Sequence, residues 1–318
     1  MFRRPQGRST ALTIAVVGAL CLPLSGALPA SATGMPAADA EIQTIIGADA
    51  PPTRPFGSHP VVRARGSALP PGDAAQADAA TLAAYTAWKP RHLVAGCGAG
   101  RYYVDASSST PSRVVSEGQG YGMVVVALMA GADPAAQAEF DGLFRFAADH
   151  PSEVDSGLMA WHQDDGCASI PGDAGSATDG DLDIAFGLLL ADRQWGSTGT
   201  LDYRAEALKR IAAIKRSEIN PTTHLTKLGD WPSRSDAAHW FATRSSDFMT
   251  DHFLAFQTAT GDPFWGEVIT ATDALITTVR QRYAPDTGLL PDFIVSTNTT
   301  PKPAPAGFQE GEFDGAHS

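Results

Sequence analysis

The sequence predicts an all-α toroid of helical hairpins whose functional groups sit in the loops at one end. Three observations carry this. Seven segments place apolar residues three and four apart, the loops joining them are polar, Gly-rich or aromatic, and only YYV (102–104) and DFIV (292–295) read as strands. A plain helical bundle has no need of such loops. With 318 residues, 43% of them hydrophobic, the chain can bury one large core or two ordinary ones.

Taken in order, residues 1–32 read as a secretory leader. MFRRPQGR is basic, TALTIAVVGALCLPL is apolar, and Ala30-Ser31-Ala32 is a small-residue cleavage site. The apolar run is too short, and wrongly flanked, for a membrane anchor. A secreted, soluble protein is expected. Loss of Arg3, Arg4 and Arg8 takes the net charge from −12 to −15, a balance that disfavours nucleic acid and anionic lipid as partners. Residues 33–53 form an Ala/Pro-rich tether, and the Pro/Gly-rich stretch continues as an extended arm to about residue 75.

The helical segments follow: AQADAATLAAYTAWKPRHL, the segment opened by SEGQGYGM, PAAQAEFDGLFRFAADH, DLDIAFGLLLADRQW, LDYRAEALKRIAAIKRSEI, SSDFMTDHFLAFQTAT and DPFWGEVITATDALITTVRQRY. After Tyr283 the pattern gives way to a long irregular stretch ending at Ser318, as in an interrupted domain.

SEGQGYGM poses a chemical question. Each glycine inside a helix costs about 1 kcal/mol relative to alanine, and Gly118, Gly120 and Gly122 surround one acid, Glu117. Ser116 and Gln119 have capping-box spacing, which would place Glu117 in a favourable first turn. That leaves the glycines unexplained. Gly118 and Gly122 share a face, and a bare face admits a neighbouring backbone or a flat sugar ring beside Glu117.

The second cluster is Asp179, Asp181 and Asp183 ahead of an apolar helix. Read as a calcium loop it fails, since Ile184 and Leu190 stand where a glycine and a glutamate are needed. Asp179 or Asp181 could serve as an N-cap; three acids exceed that need, and their repulsion would raise the pKa of a neighbouring acid. Tyr121, Trp161 and Trp231 accompany the acids, as platforms accompany paired carboxylates in glycosidases. No histidines sit at metal-ligand spacing and no G-x-S-x-G elbow occurs, so no metal, cofactor or serine nucleophile is expected. Cys97 and Cys167 can pair or stay free.

SEGQGYGM followed by ATDGDLDIAFGLLLADRQW resembles glycoside hydrolase family 8. TRSSDFMTDHFLAF, TGLLPDF, RPFGSHP and the YTAWK helix extend the likeness over residues 54–318; Gly187 departs from the usual Ser or Ala. The resemblance implies an (α/α)6 barrel of twelve helices in two rings, incomplete in this chain. It implies a monomeric endo-hydrolase that inverts configuration while cleaving β-1,4-linked glucan or chitosan. Glu117 is then the general acid, Asp179 holds the sugar at the cleavage site, and Tyr121, Trp161, Asp181 and Trp231 contact substrate. Relatives continue FDGAHS into an Asn-Ala-Cys-Arg or Asp-Ala-x-Arg segment, so truncation at Ser318 is expected. One subgroup draws its base from that segment. The loop PKPAPAGFQEGEFDG resembles the other subgroup, which makes Glu310 the expected base and Glu312 the reserve. Nothing local in the sequence fixes that loop over the cleft.

Overall fold

The computed structural model describes residues 51–59, 72–108 and 112–317, all within the compact unit Asp49–Ser318. The leader lies outside the described residues, as does the tether up to residue 50.

Helix α1 (Ala74–His92) starts at Asp73, whose carboxylate accepts from the Gln76 N–H while the Gln76 side chain returns the bond. This is a reciprocal cap, and Lys89, Arg91 and His92 suit the negative end of the helix dipole. A hairpin of β1 (Leu93–Ala95) and β2 (Tyr102–Val104) follows, then β3 (Val114–Val115) leading directly into α2 (Ser116–Leu128). Next come α3 (Ala136–Asp149), β4 (His162–Gln163, paired with β3), α4 (Thr178–Trp195) and α5 (Tyr203–Ser217). The chain continues through the short α6 (Ala237–Trp240), β5 (Thr243–Arg244), a 3-10 turn (Ser245–Asp247), α7 (Thr250–Thr260) and α8 (Phe264–Tyr283). It then adds β6 (Phe293–Val295) and β7 (Lys302–Pro303), which complete an antiparallel sheet in the order β5-β6-β7.

Each of the seven expected helices is present. Both expected strands are too, although β1, β3, β4, β5 and β7 are so short that they leave no alternating pattern to read. The helices sort into two layers. α2 packs along α4 and α4 on α7, while α3, α5 and α8 each back onto the preceding helix. α4 is buried on nearly every side, whereas Tyr85 is the only buried residue of α1. Phe140, Phe146, Leu182, Ile184, Phe253 and Trp265 belong to the main core between the layers.

The glycines explain how α2 and α4 come so close. A Cβ on Gly120 would lie 2.6 Å from Asp183 Cβ and 3.0 Å from the Gly180 carbonyl; one on Gly180 would lie 2.6 Å from the Ser116 carbonyl carbon. Gly122 is pressed against Val104 of β2 instead. So the glycines admit helix and strand neighbours; they form no cleft floor for a sugar, and that half of the expectation is corrected.

The capping assignments also change. Val115 and Ala177 are the N-caps of α2 and α4, neither with a side-chain bond. Gln119 turns inward, accepting from Val104 N–H (3.1 Å) and donating to the carbonyls of Tyr102 (3.1 Å) and Leu143 (2.9 Å). A buried amide satisfied on both ends is worth more there than a solvent-facing cap. Cys97 and Cys167 are disulfide-bonded, with Cα atoms 5.8 Å apart.

Candidate active site

A cleft of about 800 Å³ opens where the starts of α2 and α4 meet the β5-β6-β7 sheet. Glu117, Asp179, Trp161, Trp231 and Glu310 all line it.

The helix-borne side forms first. Ser116 N–H donates to Trp161 O (2.9 Å), and Trp161 N–H to Gly175 O (2.8 Å), so β3, β4 and the loop before α4 are laced together. This sets Trp161 beside Glu117. The bare Gly180 lets Ser116 rest on the first turn of α4, bringing Asp179 alongside. Asp179 accepts from Gly180 N–H (2.8 Å). Burial, and then the charge of Glu117, push its carboxyl up to about 6, the behaviour of crowded acids in a dry site. Tyr121, one turn after Glu117, donates its hydroxyl to Glu117 Oε1 (3.1 Å). Its ring is half exposed.

Asp181 needs correction. It is fully buried, paired with Arg210 and accepting from Met159 N–H (3.1 Å). Burial pushes its carboxyl up, with Arg210 and the Met159 N–H opposing. On a helix, residues two apart point to different sides, so Asp179 meets the cleft while Asp181 anchors the core. Asp181 cannot touch substrate.

The two tryptophans of the lining are braced from behind. Trp161 stacks on the His162 ring (centroids 3.6 Å apart, planes 8° apart) and its Nε1–H donates to Asp173 (3.4 Å). Trp231 lies against Gly175 and Gly229, where a Cβ would crowd the indole. Beside it, Asp230 accepts from Ser176 N–H (2.8 Å), Asp155 N–H (3.1 Å) and Ser152 Oγ (2.5 Å). His239 extends this wall between Trp231 and Phe308.

The loop-borne side is held by polar ties. The Asp314 carboxylate accepts from the N–H groups of Gln309 (2.6 Å), Glu310 (3.1 Å) and Gly311 (2.9 Å). Phe293 N–H donates to Asp314 O, and Asp292 N–H to Ala316 O. Glu310 is gripped by Arg244 through Nη1 (2.8 Å) and Nη2 (3.1 Å). The expectation of an unfixed loop is therefore corrected: Asp314, β6 and Arg244 fix it locally. Glu312 is exposed and outside the lining.

Sequence reasoning gave no role to Arg244 or Asp247. Asp247 is buried at the cleft, its carboxyl pushed well up by burial and by Asp179. Both sit in TRSSDFMTDHFLAF, and an arginine three residues before an acid at a strand-to-turn junction is the one signal that could have marked them. Among the described residues no group of three or more His, Cys, Asp or Glu could hold a metal ion, and no helix is long and apolar enough to cross a membrane.

The sequence pattern of Glycosyl hydrolases family 8 matches residues 73–309. The chain is 43% identical over 270 residues to a protein of Niallia circulans named Beta-glucanase, covering 84% of this chain and 64% of that protein. It is 41% identical over 232 residues to an Endoglucanase of Bacillus sp. (strain KSM-330), covering 70% of this chain and 48% of the relative. Among solved structures, the apo β-1,3-1,4-glucanase of Paenibacillus sp. X4 superposes with a TM-score of 0.78 at 44% identity, covering 83% of this chain and 68% of that one. The chain thus spans about half to two thirds of the length of these curated relatives. It belongs to glycoside hydrolase family 8. Its fold is the (α/α)6 barrel of that family, to which the described residues contribute seven long helices.

Proposed function

We propose that the protein is a secreted endo-acting β-glucanase that cleaves β-1,4-linked glucan, mixed-linkage glucan included, with inversion at the anomeric carbon. The observation that carries this reading is the convergence of Glu117, Asp179 and Glu310 with two tryptophans on one cleft. Glu117 protonates the glycosidic oxygen, and Glu310 takes a proton from the water attacking the opposite face of the sugar. An inverting pair must leave room for that water, at about 6.5–9.5 Å between carboxyls. Neither carboxylate here bonds to the other: Glu117 is held by Tyr121 and Glu310 by Arg244. Asp179 accepts a sugar hydroxyl at the cleavage site, and Trp161 and Trp231 stack on the flanking rings. The names of the relatives support glucan, and the disulfide suits an oxidising, extracellular setting.

The test is Glu117→Gln on β-1,3-1,4-glucan. Turnover should fall by about a thousandfold while oligosaccharide binding persists, because the amide keeps the shape and loses the proton. Retention of more than a few per cent of activity would remove Glu117 from the acid role. Proton NMR of early product should show the α-anomer first; the β-anomer first would rule out inversion.

A second substrate, chitosan, is favoured by one feature. Glu117, Glu153, Asp173, Asp179 and Glu310 line the cleft against Arg244, the single Lys or Arg among the described residues of the lining, a field that draws in cationic sugars. Parallel assays on glucan and chitosan separate the two.

A further inference from the structure

The cleft gathers its acids around one guanidinium. Arg244 Nη1 and Nη2 reach the two oxygens of Glu310, while Nε (3.0 Å) and Nη2 (3.3 Å) reach those of Asp292. The β5-β6 register sets Arg244 opposite Phe293, and the guanidinium lies 4.7 Å from the centre of that ring. Its charge also reaches Asp179 on α4 and Asp247 on the 3-10 turn, lowering both carboxyls against the burial that raises them. It is the only Lys or Arg among the described residues of the lining.

We propose that Arg244 is the positioning residue of this cleft: it fixes the direction of Glu310 by a two-point grip braced on Asp292 and Phe293, and it supplies the positive charge that lets the surrounding carboxylates share one site. The role assigned to Glu310 rests on its reading as the base. Geometry favours arginine for the task. Its planar fork makes parallel bonds to two carboxylates at once, whereas a lysine is a point charge that aims neither. A carboxylate held at one point can swing; held at two, with the fork itself stacked on a ring, it cannot.

The rival is a mere staple between β5 and the Asp292 end of β6. Arg244→Met and Arg244→Lys, made in the full chain and assayed on β-1,3-1,4-glucan, separate the two. Arg244→Met should lower kcat about a hundredfold, as expected of a misaimed catalytic group, with KM changed less than about threefold. Arg244→Lys, or guanidinium added to the Met variant, should recover about tenfold. Placed on Glu310→Gln, Arg244→Met should add little further loss. Wild-type kcat in Arg244→Met, or a loss that neither lysine nor guanidinium repairs, would overturn the proposal. If the Met variant does not fold, Arg244→Lys decides, and wild-type kcat there overturns it.

A second readout needs no turnover. Asp179 faces Glu117 from α2, Asp183 on its own helix, Asp247 and Arg244. Infrared titration of its carboxyl, near 6 in the parent protein, should move upward in Arg244→Met; an unmoved midpoint overturns the charge role. If Glu310→Gln keeps wild-type turnover, the base reading falls alone, and the Asp179 titration still decides for or against Arg244.

Discussion

On one side of the cleft, Glu117 and Asp179 stand on the first turns of two helices whose backbones touch through Gly120 and Gly180. On the other, Glu310 stands on a loop with no regular structure of its own, tied down by Asp314 and Arg244. The first support is steric: packed backbone atoms leave no alternative position. The second is polar, a few charge-assisted bonds that hold only while each partner is present. A protein can place one acid by shape and its counterpart by charge, and the two arrangements should fail in different ways.

The largest effect should come from breaking the anchor beneath the helix-borne side. Asp181→Asn leaves Arg210 buried without its counter-charge, which should cost about 3–5 kcal/mol and show as a much lower denaturant midpoint. A loss under 1 kcal/mol would mean that water reaches Arg210. On the loop-borne side, Asp314→Ala removes the acceptor for three backbone N–H groups around Glu310. Here kcat should fall by about a hundredfold with the thermal midpoint nearly unchanged. A large stability loss with kcat intact would reverse the comparison.

Seven helices were readable because apolar spacing survives whatever the tertiary structure does. Glu117 was readable because glycines in a helix demand a reason, although the reason proved to be α4 and β2 rather than a sugar. Asp179 and Asp181 could not be told apart. What separates them is the arrival of Met159 N–H and the Arg210 guanidinium, 22 and 29 positions from Asp181, and no local pattern announces such contacts. Arg244 and Asp247 stayed hidden because strands of two or three residues give no alternation, so the sheet that aims them was invisible.

Two smaller changes sharpen the contrast. Gly120→Ala gains helix propensity of about 1 kcal/mol, but its methyl must displace Asp183 Cβ and the Gly180 carbonyl of α4. A net loss of about 1–3 kcal/mol is expected, and a calorimetric midpoint that rises instead would show that α2 and α4 can separate freely. Asp179→Asn tests the strain of crowding acids on the helix-borne side. Its folded value of about 6 lies above the ordinary 3.8, so the folded state binds the proton more tightly than the unfolded chain. That stabilisation is complete below about pH 4 and is lost as pH rises through 6. The variant should therefore match the parent at about pH 4 and exceed it by about 3 kcal/mol at pH 7. Parallel stability curves across that window would show that Asp179 titrates normally.

The bond between Cys97 and Cys167 spans 70 positions of chain, and both Glu117 and Trp161 lie between them. Closing a loop of that length is worth about 4 kcal/mol in chain entropy. It also changes what a protease can do. One cut anywhere between the two cysteines leaves every piece covalently joined, with α1 still tethered to α4. To part Glu117 from Trp161 a protease must cut within that interval twice, so a single nick leaves them covalently joined.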